Sequence, residues 1–193
     1  MNHKLGIPDS EFIRGGIPMT KQEIRILTLA KAGIGAADTV IDIGAGTGSL
    51  SVEAALLASR GRVIAIEREP EGVDLIKVNA AKFQAANVEV ILGAAPEALA
   101  GLPAADVILI GGSGGRLPEI LSGADRLLKP GGRIIITAVT VETLAAALGS
   151  MRQRTEYNVE ACCIQVTRLQ QAGASNMFKA LNPIYIIACG KNG

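Results

Sequence analysis

Tryptophan is absent from these 193 residues, and aromatic side chains make up only 3% of them. The interior must therefore be packed from aliphatic side chains, which are plentiful: hydrophobic residues reach 49%. No stretch approaches the roughly 18 uninterrupted apolar residues of a membrane helix, so no membrane partner is expected. Neither charge sign is in excess, because 19 Lys and Arg face 18 Asp and Glu for a net charge of +1. A chain this neutral lacks the overall field that grips a long nucleic acid, although a local patch could remain. Cysteine is scarce as well. Cys162, Cys163 and Cys189 are too few and too late in the chain for a disulfide framework, and they lack metal-ligand spacing. Cys162 and Cys163 sit side by side in a strand-like run, so they point to opposite faces. All three are expected to be small buried hydrophobes in a reducing cytoplasm. The sole histidine, His3, lies at the start, and "MNHKLGIPDSEF" has none of the apolar length of a signal peptide.

What is present is an alternation. Strand-like runs at Thr39–Gly44, Arg62–Glu67, Val88–Gly93, Ala105–Gly111 and Gly131–Ala138 are separated by helical stretches. The helices are expected over Thr20–Ile34, Gly48–Ser59, Pro70–Ala86, a short run from Pro96, a segment ending near Leu128, and Thr140–Arg154. Thr20 followed by Glu23 reads as a capping box for the first, and Pro70 suits a first helical turn. Such βα repetition implies a parallel sheet covered by helices on both faces. The tail breaks the rhythm: "YNVEACCIQVTRL" and "NPIYIIACG" have no crossover helix between them, which favours antiparallel neighbours. One domain is expected over residues 1–193, with 1–19 as an N-terminal arm or lid.

The segment "VIDIGAGTGSLS" carries the first chemical signal. Gly44, Gly46 and Gly48 permit a tight strand-to-helix turn in which a ligand can approach backbone at a helix N-terminus. A dinucleotide fingerprint would space its glycines G-x-G-x-x-G, but the third glycine here comes one residue early. Asp42 stands inside the strand before the loop, and Glu67 ends the next strand, where it could accept hydrogen bonds from a ribose diol. The plainer alternatives are a sharp turn without a ligand and an ordinary carboxylate at a strand end.

Taken together, Asp42, Gly44, Gly46, Gly48 and Glu67 resemble the cofactor site of the class I S-adenosylmethionine-dependent methyltransferases. That resemblance implies an α/β, Rossmann-like, seven-stranded sheet, mostly parallel with an antiparallel C-terminal hairpin and helices on both faces. It also implies roles. The loop Gly44, Ala45, Gly46, Thr47 and Gly48 would approach the methionine part of the cofactor and Glu67 the ribose. Ala94 and Ala95, in "LGAAPEAL", would lie against the adenine, and Thr20 would touch the cofactor if it does more than cap a helix.

The acceptor is read from the loop after the fourth strand. Enzymes of this fold that methylate amines commonly place Asn/Asp-Pro-Pro-Tyr/Phe there, whereas this chain has "IGGSGG". "NPIY" (Asn182–Tyr185) is a near-match in the wrong place and reads as the start of a strand. A clustered Asp/Asn set for a catalytic divalent metal is also missing, so no metal is expected. A glycine rim suits a bulky acceptor sliding flat against backbone, with exposed amides available to carboxylates. The alternative is that "GGSGG" only caps a strand and starts a helix.

Longer stretches narrow the resemblance. "GIPDSEFIRGGIPMTKQEIR", "DIGAGTGSLSVEAA", "GAAPEAL", "IGGSGGRL" and "ITAVTVETL" are similar to the decarboxylating precorrin methyltransferases of cobalamin synthesis, nearly end to end. The implied reaction is methylation of carbon 15 of cobalt-precorrin-6B with loss of the carbon-12 acetate as carbon dioxide. The partner would be a tetrapyrrole, the assembly a homotetramer, and the form the stand-alone one, since no second methyltransferase domain is fused to it. Such chemistry needs no side-chain nucleophile, but a polyanionic macrocycle needs cations. Arg14, Lys21, Arg116, Arg152, Arg154 and Lys179 are candidates, with Arg14 and Arg116 expected at the pocket mouth. Competing readings are a tRNA methyltransferase of the same fold, a protein carboxyl methyltransferase, and a non-catalytic binding module.

Overall fold

The central strands are rich in Val, Ile and Leu because both faces of the sheet are covered, and Asp42 interrupts the run in the first of them. The computed structural model describes residues 5–193, so the expectation for His3 falls outside the described residues. Strands β1 (Thr39–Ile43), β2 (Arg62–Glu67), β3 (Val88–Leu92), β4 (Ala105–Ile110) and β5 (Leu128–Ala138) run parallel. Helices α1 (Gln22–Ala32), α2 (Ser49–Leu57), α3 (Pro70–Lys82), α4 (Leu117–Leu127) and α5 (Val141–Met151) flank them. β6 (Tyr157–Ile164) and β9 (Ile184–Lys191) complete a seven-stranded sheet in the order β3-β2-β1-β4-β5-β9-β6. β9 is antiparallel to both neighbours. The α/β fold expected from the sequence is therefore the one formed.

The period-two alternation of strand side chains sorts the core by face. Ile41, Ile43, Ile64, Ile66, Ile108, Ile110, Ile134 and Ile136 pack under α4 and α5, against Leu117, Ile120, Leu121 and Ala147. Val40, Val63, Val107, Leu109 and Ile135 face the other way, toward α1 and α2, with Ile24, Leu29, Leu50 and Val52. Thr140, expected as the start of a helix, caps α5 instead, accepting a hydrogen bond from Thr143 N at 3.2 Å.

Three expectations are corrected. The capping box does not form: Lys21 is the N-cap of α1 and makes no side-chain cap. Asp9 caps that end instead, its Oδ1 accepting from Gln22 N at 2.9 Å, while Glu23 is drawn away by Arg168 at 2.6 Å. The tail also holds an additional hairpin, β7 (Thr167–Ala172) with β8 (Ser175–Ala180), outside the main sheet. Finally, Cys189 is buried but Cys163 is exposed and Cys162 only half-buried. Both lie on β6, the sheet's edge strand, where Cys163 sits opposite exposed Tyr185 and Cys162 opposite buried Ile186.

Candidate functional site

The carboxyl ends of parallel strands open onto a cavity of about 660 Å³. This is where open α/β sheets place ligands, at the point where strand order reverses around β1. Of the residues expected to hold the cofactor, Thr20, Asp42, Gly44, Ala45, Gly46, Glu67, Ala94 and Ala95 line it. Thr47 and Gly48 do not. Both are buried, and Gly48, the N-cap of α2, has a positive φ of 76° and packs against Ile76.

Close backbone approach explains two of the glycines. A methyl group on Gly44 would stand 2.7 Å from Gly112 N, so the loop after β1 and the rim after β4 touch. One on Gly46 would stand 2.9 Å from the Pro18 carbonyl, because the N-terminal segment lies across the loop. Both positions also have positive φ, which side chains with a Cβ adopt reluctantly.

The two acidic residues sit in different environments. Glu67 is fastened to backbone, accepting from Gly46 N and Arg68 N at 2.8 Å and from Glu69 N at 3.0 Å. Its side chain has room only because position 72 is glycine: a methyl there would lie 2.6 Å from Glu67 Cγ. Asp42 is fully buried, with Ser51 Oγ donating to Oδ2 at 2.5 Å and Oδ1 left without a partner. Burial pushes its carboxyl up to about 6; the Ser51 hydrogen bond opposes this and the nearby Glu67 charge adds to it.

The wall formed by Ile17, Pro18, Met19, Thr20 and Lys21 is held from behind by a buried charge cluster. Arg25 is wholly buried, donating to Glu53 at 2.9 Å, to Asp9 at 2.8 Å and to the Thr20 carbonyl at 2.6 Å, with a further bond to the Ile7 carbonyl. Glu53 in turn accepts from Gly6 N and Ile7 N. Arg168, from β7, reaches Asp9 at 3.2 Å. Burial alone would raise the Asp9 carboxyl, but hydrogen bonds and charge from Arg25 and Arg168 outweigh it and hold it below its usual range.

The expected cations divide. Arg116 lines the cavity, whereas Arg14 does not. The arm turns away before Arg14: Ile13 exchanges hydrogen bonds with the Asn79 side chain, and Gly16 N donates to Glu71, which leaves Arg14 exposed beside α3. Lys21 lines the cavity, but Arg152, Arg154 and Lys179 do not. Arg154 is committed to Asp125 at 3.1 Å. Sequence reasoning missed Arg68 and assigned Asn182 only to the start of a strand, yet both line the cavity. For Arg68 the available signal was its place directly after Glu67. Among the described residues, no group of three or more His, Cys, Asp or Glu converges as a metal site, and no helix is long and apolar enough to cross a membrane.

Comparison with known proteins agrees along nearly the whole chain. The family described as "Precorrin methyltransferase domain" matches residues 10–191. A relative from Salmonella typhimurium, named "Cobalt-precorrin-6B C(15)-methyltransferase (decarboxylating)", is 39% identical over 184 residues, 95% of each chain. One from Sulfurisphaera tokodaii, named "Probable cobalt-precorrin-6B C(15)-methyltransferase (decarboxylating)", is 44% identical over 94% of this chain and 95% of its own. The crystal structure of precorrin-6y C5,15-methyltransferase from Geobacter metallireducens superposes with a TM-score of 0.91 at 41% identity, covering 97% of this chain and 98% of that one. Matches of this length and identity, on a sheet that superposes so closely, make the protein a member of the precorrin methyltransferase family.

Proposed function

We propose that this chain, acting as a single domain, transfers a methyl group from S-adenosylmethionine to carbon 15 of cobalt-precorrin-6B. The carbon-12 acetate leaves as carbon dioxide, and the product is cobalt-precorrin-7. The observation that carries the reading is the end-to-end similarity to a relative named for this activity, at 39% identity over 95% of both chains.

S-adenosylmethionine is the methyl donor of this family, and the cavity residues fit it. Gly44 and Gly46 present backbone where any side chain would intrude, and Asp42 offers a buried carboxylate oxygen with no protein partner. In this reading Gly44, Ala45 and Gly46 hold the methionine part, with Thr47 and Gly48 shaping the turn. Glu67 takes the ribose, Ala94 and Ala95 the adenine, and Thr20 closes the opposite wall. When bound, the cofactor supplies an electrophilic methyl on a sulfonium.

The protein's own contribution is alignment and exclusion of water, which supply most of the rate in an in-line displacement. No nucleophilic side chain is required, because the electron-rich ring attacks and departure of carbon dioxide returns electrons to it. Arg116 holds a substrate carboxylate at the mouth. Ile120, Val139, Val166, Leu181 and Ile184 form an apolar wall. A carboxylate pressed against such a wall loses hydration, which favours loss of carbon dioxide. Widening that wall toward water slows decarboxylation in this reading, and an unchanged rate would remove the idea.

The assembly proposed is a cytoplasmic homotetramer. It is supported by Leu169, Met177 and Phe178, which stand exposed on the β7–β8 hairpin, and by three thiols that form no disulfide. Light scattering reads the assembly directly. The reaction is tested by incubating the protein with labelled S-adenosylmethionine and cobalt-precorrin-6B and following product mass. Gain of one methyl with loss of one carbon dioxide is expected; cofactor binding without any mass change would overturn the assignment and redirect the search to tRNA.

A further inference from the structure

Three cations line the cavity, and two of them already hold a carboxylate of the protein itself. Arg116, at the N-cap of α4, grips Glu97 as a two-toothed fork, with Nη1 to Oε2 at 2.9 Å and Nη2 to Oε1 at 2.8 Å. Arg116 lines the cavity and Glu97 does not, so the fork sits at the rim with its carboxylate on the outside. Arg68, at the end of β2, pairs through Nε with Glu69 at 3.1 Å. Its far end reaches across the mouth to the glycine rim, where a methyl on Gly114 would lie 3.1 Å from Nη1. The third cation, Lys21, has no ion-pair partner among the described residues.

Both pairs are solvent-exposed, with Glu97 at 64% and Glu69 at 51% side-chain exposure. Exposed ion pairs contribute little, because each partner trades good hydration for a screened attraction. The same guanidinium becomes a stronger ligand once a bulky anion covers it and excludes water, since charge-assisted, two-toothed bonds gain as the surroundings dry. A macrocycle bearing several carboxylates does both at once. Arginine suits the task better than lysine because its fork matches a carboxylate's geometry.

We propose that Arg116 and Arg68 are specificity-determining residues that take two carboxylates of the corrinoid acceptor by exchange for Glu97 and Glu69. The two glutamates act as internal stand-ins, keeping each guanidinium aimed and hydrated until the substrate displaces them. The inference rests on the corrinoid reading above. It makes a signed demand that a purely structural role for these pairs does not: loss of the arginine and loss of the glutamate must move substrate binding in opposite directions. If the pairs only stiffened the rim, both losses would act in the same direction.

The test is a spectroscopic titration of cobalt-precorrin-6B, through its own visible absorption, into the wild type and the variants Arg116→Ala, Arg68→Ala, Glu97→Gln and Glu69→Gln. Steady-state kinetics and calorimetric titration of S-adenosylmethionine accompany it. Each arginine variant is expected to raise the corrinoid Kd and KM by about 10- to 100-fold. The change should lie in KM rather than kcat, with the S-adenosylmethionine Kd unmoved. Each glutamine variant is expected to lower the corrinoid Kd by about two- to fivefold. Glu97→Gln should do nothing when added to Arg116→Ala, and Arg152→Ala, at a residue that does not line the cavity, should leave every constant in place. Glutamine variants that weaken or do not change corrinoid binding would overturn the inference, as would arginine variants that weaken the cofactor instead. A wild type that neither binds nor converts cobalt-precorrin-6B would overturn the corrinoid reading itself, and this inference with it.

Discussion

Replacing Asp42 by asparagine tests the electrostatics of the cavity floor. The wild-type carboxyl titrates near 3.8 when the chain is unfolded and near 6 when it is buried in the fold. Between those values the folded protein binds more protons than the unfolded one, so stability falls as pH rises through the window and levels off above it. The gap, at about 1.4 kcal/mol per pH unit, is worth about 3 kcal/mol. The asparagine side chain cannot ionise, while the groups that do not feel Asp42 titrate alike in both proteins and cancel. The stability of Asp42→Asn relative to wild type should therefore rise by about 2.4 kcal/mol from about pH 4 to about pH 7, and by nearly the full gap when the acid end is carried to about pH 2, whatever its sign at either end. Urea unfolding followed by circular dichroism at closely spaced pH values measures this. S-adenosylmethionine is cationic and should pull the folded titration downward, so the window narrows at saturating cofactor. A stability difference flat across the range, or falling with pH, would refute the reasoning.

Gly44→Ala forces left-handed backbone onto a residue with a Cβ, which costs about 1–2 kcal/mol, and pushes the β1 loop off Gly112. Calorimetry should find S-adenosylmethionine binding weakened about tenfold or more, and unchanged affinity would remove the close-approach argument. Arg25→Met strands Glu53 in the core and should cost about 3–5 kcal/mol in urea unfolding. Arg168→Ala removes only a half-exposed partner of Asp9 and Glu23 and should cost about 1 kcal/mol or less; equal losses would contradict the cluster as described. Cys189 is buried, and desolvation pushes its thiol up to about 12, so a thiol reagent should reach it only at the rate of unfolding.

The strands were readable because strands buried on both faces are nearly continuous apolar runs, and Arg62–Glu67 has the same limits in sequence and structure. The cofactor floor was readable for a related reason: a tight turn beside a ligand demands glycines in fixed order. Contacts between distant segments were not readable. Thr20 carries a local capping signal, but Asp9 wins the helix end through a fold-dependent bond and Arg168 takes Glu23. The β7–β8 hairpin has no buried face, so its polar residues give no alternation to detect. Arg14 and Arg68 show the same limit at the site. A charge near a motif says nothing of where its side chain goes: the arm's contact with Asn79 leaves Arg14 outside, while Arg68 follows β2 into the cavity lining.

β9 is made after β6 yet lies between β5 and β6. While the chain is being synthesised, β5 therefore keeps an open edge and β6 has no strand to join. At about 5–20 residues per second, the interval between the end of β6 at Ile164 and the end of β9 at Lys191 lasts about 1–5 s. Throughout it, Ile134 and Ile136 await Ile187 and Cys189, which fill the layer beside them. A nascent chain in this state displays a long apolar edge that a second copy could pair with, so crowded expression should divert chains before completion rather than after. The vulnerable stage of this protein is a moment in its synthesis, set by which strand arrives last.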